Sequence, residues 1–190
     1  MRRRSWTGRA EVKGQDNGAT PDPAKQRSAA RSTALGLLAR REHAQAEIKR
    51  KLRDRGYDTD ITAAVVDDLT RQRLLSDARF AEAFIRARAN RGQGPTRLKA
   101  ELRQLQIPLP QIEAHLVAAD VEWDVLARSV RLRKFGGQPA ASLSERAKQV
   151  RFLQYRGFTA EQIRAAMDTR CEDDLFEVGD DDPPDIDPEI

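Results

Sequence analysis

From about Ser28 to Arg170 apolar residues recur three and four positions apart, with Ala, Arg, Lys and Glu between them, and no stretch alternates apolar with polar residues for long. That pattern predicts helix throughout the body. Gly56, Gly92, Gly94, Gly136, Gly137 and Gly157, with Pro95, Pro108, Pro110 and Pro139, fall between the periodic runs, where glycine ends helices and proline starts them. Ser142 with Glu145 and Thr159 with Gln162 have the spacing of capping boxes. Gly36 alone falls inside a run, and close helix packing is the expected reason.

The runs repeat. Leu52, Leu102 and Leu153 form one column about 50 residues apart; Tyr57, Ile107 and Phe158, then Ile61, Ile112 and Ile163, then Val65, Leu116 and Met167, form three more. Each set occupies the same context: a basic helix, a short break, one large apolar residue and a second amphipathic helix. A further helix precedes each set, carrying Leu35, Leu37 and Leu38, then Phe80, Phe84 and Ile85, then Val125, Leu126 and Val130. The expectation is an all-α chain of three tandem three-helix repeats, at 28–75, 76–120 and 121–170, forming an elongated curved rod. Residues 1–27 are expected to be a disordered basic arm and 171–190 a disordered acidic tail.

Composition sharpens this picture. Of 190 residues, 34% are charged and 5% aromatic, which suits an extended surface better than a large enzyme with several cores. Ten of the 30 acids lie in 171–190, which holds no Lys or Arg, so residues 1–170 set 34 bases against 20 acids, a net +14. A basic body suggests a polyanion or an acidic partner surface. No run of 18 apolar residues suggests a membrane span, and a cytoplasmic location is expected.

Sites for chemistry are scarce. Cys171 is the single cysteine, and His43 and His115 occupy unrelated repeat positions without metal-ligand spacing around them. The GxG of Arg91-Gly92-Gln93-Gly94-Pro95 lacks the Lys and Ser or Thr of a phosphate loop and reads as a helix stop followed by a proline start. Asp67 and Asp68 read as a solvated face. No catalytic residue, metal, cofactor or small-molecule ligand is expected.

Charge pairing along the helices is more informative. At i,i+4 spacing Glu47 can meet Lys51, Arg50 can meet Asp54, Glu82 can meet Arg86, Arg97 can meet Glu101 and Asp124 can meet Arg128. Lys49 and Arg53 are left without an acid and face each other one turn apart, and Lys99 and Arg103 repeat the arrangement 50 residues on. Arg88, Arg91, Arg131, Arg133, Lys134, Lys148 and Arg151 extend this candidate partner-binding face, while Val150 and Gln154 replace the lysine and arginine in the third repeat. Two classes of function fit: a direct nucleic-acid binder built on three-helix modules, and an interaction rod that docks on an assembled partner. The third helices of the first two repeats disfavour groove reading, since one carries Asp60, Asp67 and Asp68 and the other Glu113 with no Lys or Arg.

The segments LARREHAQAEIKRKL at Leu38–Leu52, DARFAEAFIRARANRGQGPTRLKAEL at Asp77–Leu102 and RFLQYRGFTAEQI at Arg151–Ile163 resemble the RecX regulatory proteins. The resemblance spans about residues 33–168 and is most specific in the middle segment. It implies a bacterial, cytoplasmic, non-enzymatic modulator of the RecA recombinase in DNA recombination, repair and the SOS response. Such a protein binds in the helical groove of the RecA filament on single-stranded DNA and limits its ATPase, strand-exchange and coprotease activities. Weak direct binding to DNA is compatible with it.

The tail supplies a prediction of its own. Its ten acids, with Pro183, Pro184 and Pro188 opposing helix, make a tethered polyanion facing a body of net +14. Truncation after Arg170 is expected to tighten binding to single-stranded DNA, most at low salt. Equal affinity of the truncated and full-length proteins across a salt series identifies a merely solubilising segment.

Overall fold

The computed structural model describes residues 22–138 and 140–168. The acidic tail, Cys171, Pro139 and nearly all of the expected arm lie outside the described residues. Within them there are nine α-helices and no strand. Unit 1 comprises α1 (Pro23–Leu38), α2 (Gln45–Arg53) and α3 (Thr59–Arg71); unit 2 comprises α4 (Asp77–Asn90), α5 (Pro95–Gln104) and α6 (Leu109–Ala118). Unit 3 comprises α7 (Trp123–Phe135), α8 (Leu143–Arg156) and α9 (Ala160–Met167). Each unit packs its three helices around its own apolar cluster.

The second helix of every unit ends in the same way, and this explains two of the repeat columns. Gly56, Gln106 and Gly157 adopt left-handed φ of 83°, 63° and 88°. The next N–H reaches back five residues, from Tyr57 to the Leu52 carbonyl at 3.3 Å, from Ile107 to Leu102 at 3.3 Å and from Phe158 to Leu153 at 3.1 Å. This is a Schellman stop, whose geometry sets an apolar residue after the turn against one in the last helical turn. Leu52, Leu102 and Leu153 are all fully buried, and Ile107 and Phe158 nearly so. Gln106 holds a conformation that costs an L-residue with a side chain on the order of 1 kcal/mol more than glycine.

The starts of the second helices differ in an ordered way. The N-cap of α2 is Ala44 and that of α5 is Gly94, and neither offers a side-chain acceptor. In both cases the next unit supplies one. The Gln45 N–H donates to Asp77 Oδ1 at 2.8 Å, on the first residue of α4, and the Thr96 N–H donates to the Gly157 carbonyl at 3.0 Å, at the end of α8. In α8, the last of the second helices among the described residues, Ser142 is its own cap and accepts from the Glu145 N–H at 3.2 Å. The full capping box expected at Thr159 forms; at Ser142 the return bond from Glu145 reaches the Ala141 N–H instead.

Units 2 and 3 also meet backbone to backbone. Besides the Thr96 bond, the Gly94 N–H donates to the Arg156 carbonyl at 2.8 Å. A Cβ on Gly94 would lie 2.4 Å from the Gly157 oxygen, and one on Gly157 would lie 2.3 Å from Arg97 Cβ. Only paired glycines permit so close a crossing. Gly92 is the helix stop that the sequence suggests, with φ 70°, but Gly94 is a docking residue, which a stop-and-start reading does not anticipate. Units 1 and 2 meet through side chains: Arg79 Nε donates to Glu42 Oε1 at 2.7 Å, its Nη atoms reach the Arg73 and Leu74 carbonyls, and Ala44 is buried in the cluster of unit 2.

Other expectations are corrected. Helix α1 begins at Pro23, before Ser28, because Asp22 accepts from the Ala24 N–H and Pro23 fits the first turn. It buries Ala30 and Ala34 most deeply, with Leu35 left exposed, and nothing approaches the missing Cβ of Gly36. Asp68 is no solvated carboxylate: it pairs with Arg31 of α1 and Arg71, with a hydrogen bond from Gln72, whereas Asp67 is exposed.

The stop of unit 2 yields opposite expectations for two neighbouring positions. Leu102→Ala should cost about 2–5 kcal/mol and broaden or split the melt, since it empties the apolar side of the Schellman contact. Gln106→Gly should raise stability by up to about 1 kcal/mol by relieving left-handed strain. Urea unfolding of both variants checks the pair.

Candidate partner-binding face

The structure sorts the expected basic residues into three groups. Arg53, Arg91, Arg103, Arg133, Lys134, Lys148 and Arg151 are exposed, and Lys49 is half-buried; none of them makes an ion pair among the described residues. Lys99 and Arg88 are corrected. Lys99 Nζ lies 2.6 Å from Glu113 Oε1, an acid on the next helix that i,i+4 spacing does not consider. Arg88 lies 3.2 Å from Glu101 and over the Phe84 ring, so Glu101 serves both Arg88 and Arg97. Arg131 is corrected too: it is 2% exposed and belongs to the interior of unit 3.

Of the pairs expected along single helices, Glu47 with Lys51 and Arg97 with Glu101 form, at 3.7 and 2.9 Å. Arg50 with Asp54, Glu82 with Arg86 and Asp124 with Arg128 do not. For Arg50 with Asp54 and Glu82 with Arg86, all exposed, such a pair gains too little to hold two long side chains in one geometry, whereas Arg128 is half-buried and its Nε makes no bond to Asp124.

Glu47 gathers more charge than the sequence suggests. Arg41 donates two bonds to it, at 2.6 and 3.2 Å, and His43 Nδ1 lies 2.9 Å from Oε2. Both Glu47 and His43 are buried. His43 thus stands beside the start of α2 as a structural residue, and His115 lies in α6, 3.9 Å from Glu82. Among the described residues no group of His, Cys, Asp and Glu is placed to hold a metal ion, and no helix is long and apolar enough to cross a membrane. Two shallow surface depressions, of about 310 and 250 Å³, are lined by residues such as Phe135, Gln138, Glu145 and Lys148 in one and Glu82, Asn90 and His115 in the other.

Sequence reasoning missed the seam between units 2 and 3. There Arg156 Nη1 donates to the Arg91 carbonyl at 3.0 Å and its guanidinium covers Phe152, while Arg97 lies over Tyr155. A signal existed, since Gly94 is superfluous to a helix stop already made by Gly92.

Sequence models of the RecX first, second and third three-helix domains match residues 30–69, 76–116 and 122–167 in turn, about two thirds of the chain. The chain belongs to the RecX family. A protein named regulatory protein RecX from Halorhodospira halophila is 47% identical over 146 residues, covering 77% of this chain and 91% of that protein. One of the same name from Pseudomonas fluorescens is 42% identical, covering 77% and 94%. The crystal structure of RecX from Lactobacillus salivarius is similar in fold, with TM-score 0.63 and 20% identity over 76% of this chain and 96% of that one. A second RecX crystal structure has TM-score 0.64 at 24% identity, over 75% and 71%. The matched domains follow the three units, and a regulatory role comes with the family.

Glu47 gives a pH expectation. Burial pushes its carboxyl up, but hydrogen bonds from Arg41 and His43 outweigh this and hold it below the ordinary glutamate range. A depressed carboxylate contributes stability that is complete above its unfolded value, about 4.3, and is lost as pH falls through the lower folded value. The stability difference between wild type and Glu47→Gln should therefore shrink as pH falls below about 4. A gap that does not narrow in acid removes the assignment.

Proposed function

We propose that this protein is a non-enzymatic regulator that binds the RecA recombinase filament on single-stranded DNA, in its helical groove, and mostly inhibits its ATPase, strand-exchange and coprotease activities. The reading places it in the bacterial cytoplasm, in recombination, repair and the SOS response. The observation that carries it, beside the family, is the serial display of exposed cations without acidic partners: Arg53 on unit 1, Arg103 on unit 2, and Arg133, Lys134, Lys148 and Arg151 on unit 3. A filament presents the same surface at regular intervals, and several weak contacts on one linked chain add through high effective concentration. Direct sequence reading by a groove-inserted helix is less suitable. The exposed side of α3 carries Asp60 and Asp67, and α6 carries Glu113, so phosphates would meet like charge.

Titration into preformed RecA filaments on single-stranded DNA should suppress ATP hydrolysis, with free DNA as the control. Charge reversal at Arg53 and Arg103 should raise the half-inhibitory concentration on the order of tenfold and change the thermal melt little, because exposed unpaired cations contribute little to stability. Lys99 is left alone in this test because reversing it breaks the Glu113 pair. ATPase activity indifferent to a large excess of the protein overturns the reading.

A further inference from the structure

Tyr155 is the one aromatic side chain among the described residues that is mostly exposed, at 64%. Phe80 and Phe158 are buried, and Tyr57, Phe84, Trp123, Phe135 and Phe152 are half-buried. A large ring left in water on a surface so poor in aromatics needs a reason, and its surroundings offer one. Helix α8 places Lys148, Arg151 and Tyr155 at i, i+3 and i+7, a single stripe about 10 Å long at the helical rise. The inner side of α8 is fixed by Leu153, fully buried, and by Phe152, which meets Phe135 edge to face at 5.3 Å. The stripe therefore faces outward on a helix that cannot roll. Lys148 and Arg151 are exposed and make no ion pair among the described residues.

The stripe continues across the seam. The Arg97 guanidinium lies 5.6 Å from the centre of the Tyr155 ring and is itself held by Glu101 at 2.9 Å. The glycine crossing of Gly94 and Gly157 holds the start of α5 against the end of α8, which brings the guanidinium and the ring together. A half-covered aromatic ring beside cations that lack acidic partners is the chemistry of a single-strand platform: every base has a π face to stack, and the phosphates follow the basic path. An acidic protein patch would use the cations and leave the ring without a role.

We propose that Tyr155, with Lys148 and Arg151 on α8 and Arg97 across the seam, is a stacking site for an unpaired nucleobase of single-stranded DNA. The proposal deepens the filament reading and rests on it only for where the strand is met.

Fluorescence anisotropy with the full-length protein tests it, using labelled oligo(dT) and an oligomer of the same length built of abasic sites. The two probes carry equal charge and differ only in having bases. Wild type should prefer oligo(dT). Tyr155→Ala should lose roughly 5- to 150-fold on oligo(dT), the range for one stacked base, while affinity for the abasic oligomer and the salt slope stay unchanged. Tyr155→Phe should retain the preference. The double variant Lys148→Gln/Arg151→Gln should weaken both probes alike and flatten the log–log salt slope by about 1.4. Because the ratio of the two affinities is read within each variant, any loosening of the seam cancels. A ratio that Tyr155→Ala leaves unchanged, or equal losses on both probes, overturns the site. That result together with intact suppression of RecA ATPase leaves the filament reading standing; loss of suppression in wild type with a Tyr155-dependent ratio does the reverse.

Discussion

An α-helix leaves its first N–H groups without partners, and two of the three second helices in this protein cannot supply one from their own N-cap side chain. Ala44 and Gly94 have nothing to offer, so α2 and α5 are completed by Asp77 and by the Gly157 carbonyl of the following unit. A missing cap is worth about 0.5–2 kcal/mol, a large share of what a cluster as small as Ala30, Ala34, Ile48, Leu52, Val65, Val66, Leu69 and Leu75 leaves after chain entropy. The arrangement makes the units interdependent and sets the basic helices α2, α5 and α8 in fixed succession. The candidate face inherits its order from this.

The two seams use different chemistry. That between units 2 and 3 relies on main-chain bonds and on the absence of two Cβ atoms, so it tolerates neither substitution at Gly94 or Gly157 nor much relative movement. That between units 1 and 2 relies on Arg79, Glu42 and Asp77, whose bonds are charge-assisted, with Ala44 as its apolar contact. Screening by salt acts on the second and hardly on the first. Tyr155 and Arg97 stand at the rigid seam, where a platform needs no ordering before it meets a ligand.

Helices, their number and the threefold repeat are legible in the sequence because period and punctuation are local, and two repeat columns are now explained by the Schellman contact between residues five apart. Less was legible of the face. Lys99 and Arg88 have acids on neighbouring helices, Glu113 and Glu101, that no single-helix spacing relates to them. Arg131 is buried because it lies on the inner side of α7, although its neighbours Arg133 and Lys134 are exposed. Burying α1 on Ala30 and Ala34 was equally hidden, since alanine is also the commonest filler of exposed helix. Gly94 was visible, but its partner stands 63 residues away.

The caps also run in one direction. Each borrowed acceptor lies C-terminal to the helix it completes, and Ser142, on the last of the second helices among the described residues, serves itself. A chain emerging from the ribosome therefore presents α2 before Asp77 exists to cap it, and α5 some 60 residues before Gly157. Unit 1 gains its missing cap once the start of α4 has been synthesised, a few residues after α3, and unit 2 only once α8 is complete, most of a unit after α6, so this part of folding trails translation little at the first seam and much more at the second.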